Sequence, residues 1–261
     1  MPTFKIALAY DGTDFVGWQR QAAGTSVQGL IEDAARELDG RDVTVVGAGR
    51  TDAGVHALGQ AASLALARAV DAATLVRALN ARLPDEVRVL AAEEVPPTFH
   101  ARFGARSKTY RYRLWNGDIR SPFERRFACH APGALDVEAI TEAARLVEGR
   151  HDFAAFQAAG GATRTTERVV TRSALAVETV LEPCPGRLLV YEVEGNGFLR
   201  HMVRTIVGSL IEIGRGRRPA AWMGELILSR DRSRAGPTAP PEGLFLVRVD
   251  YDEPGALAAE P

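Results

Sequence analysis

Strand-like stretches, in which apolar side chains recur every second residue or crowd into short β-branched runs, fall at residues 4–10, 43–47, 61–66, 87–91, 109–115, 169–180, 188–193 and 244–251. Helical periodicity lies between them. Val27, Leu30, Ile31, Ala34, Ala35 and Leu38 repeat at the three-and-four spacing of one helix face, with Thr25 and Gln28 placed as a capping box at its start. Shorter patterns predict a helix over residues 72–80, another opening near Asp136, and a third started by Pro219 and running to about Leu228. Further on, Leu199, Met202, Val203, Ile206, Val207, Leu210 and Ile211 form an apolar stripe that leaves Arg200 and Arg204 one turn apart on another face. A turn at residues 183–186 joins two strand-like runs as a long hairpin. Strands interleaved with a few helices predict an α+β architecture.

A repeat divides this pattern. Ala34-Ala35-Arg36 and Asp39-Gly40-Arg41 recur at an offset of 109 as Ala143-Ala144-Arg145 and Glu148-Gly149-Arg150, each time at the end of an amphipathic helix. The constant offset predicts two similar halves, residues 1–105 and 106–261, against chance matching in a chain rich in alanine and arginine.

Composition narrows the class. With 261 residues, 46% hydrophobic and 25% charged, the chain has the material for one large or two medium globular domains and lacks the signature of disorder. No stretch approaches the roughly 18 consecutive apolar residues of a membrane span, and the first ten residues read as a strand and not as a secretion signal. Cys129 and Cys184 stand far apart, with no second Cys or His at ligand spacing, so neither a zinc site nor a disulfide framework is expected. A reducing, cytoplasmic compartment fits that usage.

Charge changes the picture. The formal net charge of -1 argues against a nucleic-acid partner, yet eight basic residues (Arg102, Arg106, Lys108, Arg111, Arg113, Arg120, Arg125, Arg126) face only Asp118 and Glu124 within residues 100–126. Residues 195–218 add Arg200, Arg204, Arg215, Arg217 and Arg218 against Glu212. Nearly all are arginines, the side chain suited to bidentate phosphate contacts and to stacking on bases. Codon bias explains the arginine total but not its clustering.

Three segments could carry chemistry. The first is Gly47-Ala48-Gly49-Arg50-Thr51-Asp52-Ala53-Gly54-Val55-His56-Ala57, whose glycines let a ligand approach the backbone around one Asp and one Arg. A dinucleotide fingerprint fails there, since Asp52 stands where the third glycine belongs. A metal site from Asp11, Asp14, Asp52 and His56 would need a convergence that spacing does not show, and Asp11-Gly12-Thr13 reads as a turn. In the second, residues 107–115, strand alternation puts Tyr110, Tyr112 and Leu114 on one face and Arg111, Arg113 and Trp115 on the other, the pattern either of a base-stacking platform or of core tyrosines beside solvated arginines. The third is the arginine pair at 200 and 204, placed to meet phosphates or a carboxylate, or simply solvent.

Taken together, GRTDAGVHALGQ, the early Tyr10-Asp11-Gly12-Thr13 and Gly17-Trp18-Gln19, SKTYRYRLWN, NGFLRHMVRTIVG and the late Thr238-Ala239-Pro240 with Gly243-Leu244 resemble the TruA family of tRNA pseudouridine synthases, in order and over nearly the whole chain. The resemblance implies two tandem ferredoxin-like halves with largely antiparallel sheets, an RNA-binding cleft between them, and a homodimer. It implies isomerisation of uridines at positions 38–40 of the tRNA anticodon stem-loop, with no cofactor and no metal; the zinc associated with the eukaryotic branch has no cysteine framework here. By motif position Asp52 is the catalytic aspartate, Arg50 its neighbour in base flipping, Tyr110 the stacking aromatic and Arg204 the partner of the Asp52 carboxylate. Trp18, Gln28, Arg111, Arg113 and Arg200 are expected to join Tyr110 and Arg204 in holding the tRNA. Pro241 departs from the small residue expected after Thr238-Ala239-Pro240. A non-catalytic RNA-binding module and a metal-dependent nuclease are the competing classes; the module has no need of a lone aspartate among glycines.

Overall fold

The computed structural model describes residues 1–160, 163–178 and 185–252. It has an α+β fold whose residues group into two compact units, one of Met1–Lys108 together with the chain from Leu246 on, the other of Thr109–Phe245.

The first unit opens with β1 (Thr3–Tyr10), whose alternate residues Phe4, Ile6, Leu8 and Tyr10 are buried. Antiparallel neighbours flank it on both sides, β3 (His56–Ala65) and β4 (Val87–Val95), with β2 (Val46–Gly47) pairing only briefly on β3. Of the strand expected over residues 43–47, only those two residues pair; the rest is connection without regular secondary structure. Helix α1 (Val27–Asp39) buries Val27, Ile31, Ala34 and Ala35, and α2 (Ala72–Asn80), which matches its predicted span, packs on β4.

The capping box at the start of α1 is not formed. Ser26, one residue later than expected, is the N-cap and accepts from Gly29 N–H at 3.2 Å, because its extended backbone aims the hydroxyl at the first turn. Gln28 instead accepts from Arg20 N–H and donates to Val45 O at 2.8 Å, tying the entry loop to the connection before β2.

In the second unit the order is β5, β9, β8, β7: β5 (Ala105–Asn116, belonging here from Thr109 on), β9 (Arg187–Gly195), β8 (Glu167–Glu178) and β7 (Gly149–Asp152), with the β9–β8 and β8–β7 pairs antiparallel. The short β6 (Cys129–His130) runs parallel beside β5. Helix α3 (Val137–Arg145), capped by Asp136 as its sequence position predicts, packs on β8, on α4 (Met202–Gly214) and on α5 (Trp222–Ser229). Pro219 opens the turn before α5, and the helix begins three residues after it. The last strand, β10 (Leu244–Tyr251), lies beside β3 of the first unit from Leu246 on. The first half of the turn expected at residues 183–186, and Cys184 with it, lies outside the described residues.

The repeat has a structural counterpart in the two helices. Ile31, Ala34 and Ala35 of α1 and Ile140, Ala143 and Ala144 of α3 are all buried, and the glycine after each helix, Gly40 or Gly149, has positive φ.

Candidate functional site

Asp52 sits at the head of a tight turn in the first unit. Val55 N–H bonds to Asp52 O at 3.1 Å, and Gly54 takes φ +77°, a backbone conformation that side chains strain to reach. Two early glycines press against the same loop. A Cβ on Gly12 would lie 2.0 Å from Val55 O, and one on Gly17, itself at φ +104°, 2.6 Å from Thr51 O. The motifs around residues 10–13 and 17–19 therefore serve the Asp52 loop by close backbone approach. Asp11 forms the expected turn, accepting from Thr13 N–H at 3.0 Å.

Beneath the loop is a buried polar network. Tyr10 Oη lies 2.8 Å from Thr51 Oγ1, and Gln60 donates to Gly49 O at 2.9 Å and, more weakly, to Tyr10 Oη at 3.4 Å. Trp18 N–H bonds to Thr51 O at 3.0 Å, and His56 Nδ1 accepts from Gly12 N–H at 3.0 Å. Both sides of the Arg50-Thr51-Asp52 tripeptide are thus pinned from inside the fold, while Asp52 stays half-buried and Arg50 exposed. Burial pushes the Tyr10 phenol up to about 12, so it acts as a neutral hydrogen-bonding group. Sequence reading missed Tyr10, Thr51 and Gln60 as supports. The available signal was Gln60, a long polar side chain in the middle of a strand made mostly of small and apolar residues.

Trp18 is buried with its ring against Gly47, where any Cβ would fall 2.5 Å from the indole. It shapes the loop from within, as Gln28 does from α1. Among the described residues no three of His, Cys, Asp and Glu converge on a metal position, so Asp11, Asp14, Asp52 and His56 do not form one.

The second unit carries Tyr110, Arg111, Arg113, Arg200 and Arg204. Tyr110 is 8% exposed and meets Phe198 edge-on, ring centroids 5.0 Å apart. Tyr112, on the same strand face, is fully buried and donates to Pro240 O at 2.7 Å. On the opposite face Arg111 pairs with Glu192 at 3.0 Å and Arg113 with Glu124 at 3.0 Å, while Trp115 is buried against Ala128, Leu188 and Val190. That face is neutralised and partly covered, not a bare basic surface. Arg106 also pairs with Asp252, and Arg120 lies 3.8 Å from Glu242.

Arg200 and Arg204 do not share a helix face. Helix α4 starts only at Met202, after His201 at φ 60° breaks the backbone, so Arg200 lies ahead of it and donates to Ala159 O at 3.0 Å. Arg204, in the first turn, donates through Nε to Ala239 O at 2.7 Å and accepts Ala239 N–H on its backbone carbonyl. Gly208 admits the same loop, since a Cβ there would lie 1.7 Å from Pro237 O. Arg204 is thereby fixed to the Thr238-Ala239-Pro240 segment. Pro241 fits at the head of a single 3-10 turn, residues Pro241–Gly243, where no N–H is required.

Cys129 is buried, and that burial pushes its thiol pKa up, away from the reactive thiolate. No helix among the described residues is long and apolar enough to cross a membrane.

Comparison with known proteins gives the same family from independent directions. The family described as tRNA pseudouridine synthase matches residues 6–104 and 143–252. The tRNA pseudouridine synthase A of Myxococcus xanthus is 46% identical over 251 residues, covering 96% of this chain and 92% of that protein. Its counterpart in Moorella thermoacetica is 43% identical over 96% of this chain and its own full length, and that of Ralstonia nicotianae 41% identical over all of this chain and 94% of its own. With the Asp52 loop and the helix of Arg204 both inside the matched segments, the chain belongs to the tRNA pseudouridine synthase family, the isomerases that convert uridine to pseudouridine in tRNA.

Proposed function

We propose that this isomerase acts on uridines at positions 38–40 of the anticodon stem-loop, with Asp52 as its catalytic carboxylate. The observation that carries the assignment is the Asp52 loop itself, a carboxylate in a turn braced from within by Thr51, Tyr10, Gln60 and two close-packed glycines. Preorganisation of this kind holds a nucleophile in place before substrate arrives.

The reaction breaks the N1–C1′ bond, turns the uracil and joins C5 to C1′; C5 loses its proton and N1 gains one. Oxidation state does not change. An ionised carboxylate can attack C1′ or C6, or assist proton removal at C2′, and all three routes need Asp52 as an anion. Arg204 is the cation assigned to that anion, Arg50 steadies the flipped nucleotide, and Tyr110 meets the base and relays the C5 proton. Arg200 binds a phosphate, Arg111 and Arg113 face the tRNA as carboxylate-paired groups that add little net charge, and Trp18 and Gln28 act on the tRNA through the shape of the loop that they hold. The enzyme works as a cytoplasmic homodimer of two tandem halves, a reading supported by the family resemblance, the two halves also by the matching buried positions of α1 and α3.

A nucleotide-resolution pseudouridine map of tRNA incubated with the purified protein and EDTA tests this. New pseudouridine confined to positions 38–40 is expected. Conversion elsewhere would overturn the site assignment, and cut RNA without pseudouridine would overturn the chemistry.

A further inference from the structure

Residues 100–104 form a turn that the reaction does not use. Arg102 N–H and Phe103 N–H both bond to His100 Nδ1 at 3.2 Å, and Gly104 N–H closes on His100 O at 2.9 Å. From the other side Ala101 is fully buried, its N–H on Ser63 Oγ at 3.3 Å and its carbonyl receiving the Tyr251 hydroxyl at 2.7 Å. The backbone is therefore rigid. What it displays is unusual for so fixed a turn: Phe103 is 77% exposed, its ring 4.3 Å from the His100 ring and 5.6 Å from the exposed Arg102 guanidinium.

We infer that this turn is a second RNA contact, in which a tRNA nucleotide other than the reacting one stacks on Phe103 and lays its phosphate on Arg102. Three observations lead there. An aromatic face, a guanidinium and an imidazole are the groups that bind single-stranded nucleotides by stacking and charge. The imidazole accepts two amides on Nδ1, so its neutral ring carries the proton on Nε2 as a donor. Position supplies the third: Ala101 packs in one buried cluster with Ala61 and with Ala48, four residues before Asp52, so the turn adjoins the proposed catalytic loop. A rigid aromatic also loses little conformational freedom on binding.

The inference rests on the tRNA-modifying reading, and the test separates the two. Binding of an unmodified tRNA transcript to the full-length protein is measured over a salt series, beside melting temperature, sedimentation and pseudouridine yield of the wild type. Phe103→Ala and Phe103→Leu should weaken binding roughly 5- to 100-fold, Phe103→Tyr should restore it, and Arg102→Ala should lower the log-log salt slope by about 0.7 to 0.9. With so exposed a side chain, melting temperatures should not move. Wild-type affinity and slope in the Phe103→Ala and Arg102→Ala proteins would overturn the inference while leaving the enzyme reading intact. A Phe103→Ala protein that binds normally but changes its sedimentation would give the surface to a second copy of this chain and overturn it as well. Absence of pseudouridine in the wild type would count against the enzyme reading, and the affinities would still decide the turn.

Discussion

At the residue scale, Tyr10 and Tyr110 are both buried phenols, and each makes a separate prediction. Tyr10 has a folded pKa of about 12 against an ordinary value of 10, so the folded state keeps its proton where the unfolded chain gives it up. Its contribution is complete below pH 10 and is lost as pH rises from 10 to 12. Denaturation midpoints should thus fall above pH 10, less steeply in Tyr10→Phe than in the wild type. At neutral pH the same variant loses the Thr51 hydrogen bond and the weaker one from Gln60, about 1 to 2 kcal/mol together, while single-turnover rate drops further than stability because the loop bearing Asp52 is freed. Tyr110 divides differently. Tyr110→Phe keeps the edge contact with Phe198 and should melt normally while slowing the step after glycosidic cleavage. Tyr110→Ala should lose about 3 to 5 kcal/mol as well, since the ring is nearly buried. Rapid-quench kinetics beside thermal melts separate the two effects.

Elements show what the pattern could and could not reveal. Period-two alternation in β1 and the exact span of α2 were legible because burial on one face writes itself into the residue order. The cap of α1 was not, because Thr25 and Ser26 are chemically equivalent and only the backbone angle selects Ser26. Ser26→Ala should cost about 1 kcal/mol and Thr25→Ala within about 0.5, measured by urea titration. The stripe from Leu199 to Ile211 was read correctly as apolar, yet the helix starts at Met202: a histidine at positive φ is a tertiary imposition that periodicity does not carry. That start separates the two arginines. Arg204→Ala should lose far more activity than Arg200→Ala, because Arg204 anchors the segment at Ala239 from within α4 whereas Arg200 touches an exposed connection. Equal losses in the two variants would contradict the distinction.

Over the whole molecule, charge clustering in sequence overstated the free positive charge. Arg106, Arg111, Arg113 and Arg120 each meet a carboxylate, and apart from Glu124 those acids, Asp252, Glu192 and Glu242, come from distant segments that a local count does not see. Salt dependence of tRNA binding should accordingly be real but moderate, with a log-log slope of about -2 to -4 in place of the roughly -6 that all eight arginines and lysines of residues 100–126 would give. A slope near zero would mean that no arginine reaches a phosphate. The motif resemblance made the family legible, but the supports of the Asp52 loop were not, because Tyr10, Thr51 and Gln60 are far apart in sequence and meet only in the fold.

The most direct measurement is single-turnover pseudouridine formation by Asp52→Asn, with tRNA affinity and melting temperature taken on the same preparation. The amide keeps the size and most hydrogen bonding of the carboxylate and removes its charge. Turnover should vanish while affinity and melting temperature stay close to wild type; a variant that still makes pseudouridine at a substantial fraction of the wild-type rate would contradict Asp52 as the catalytic group.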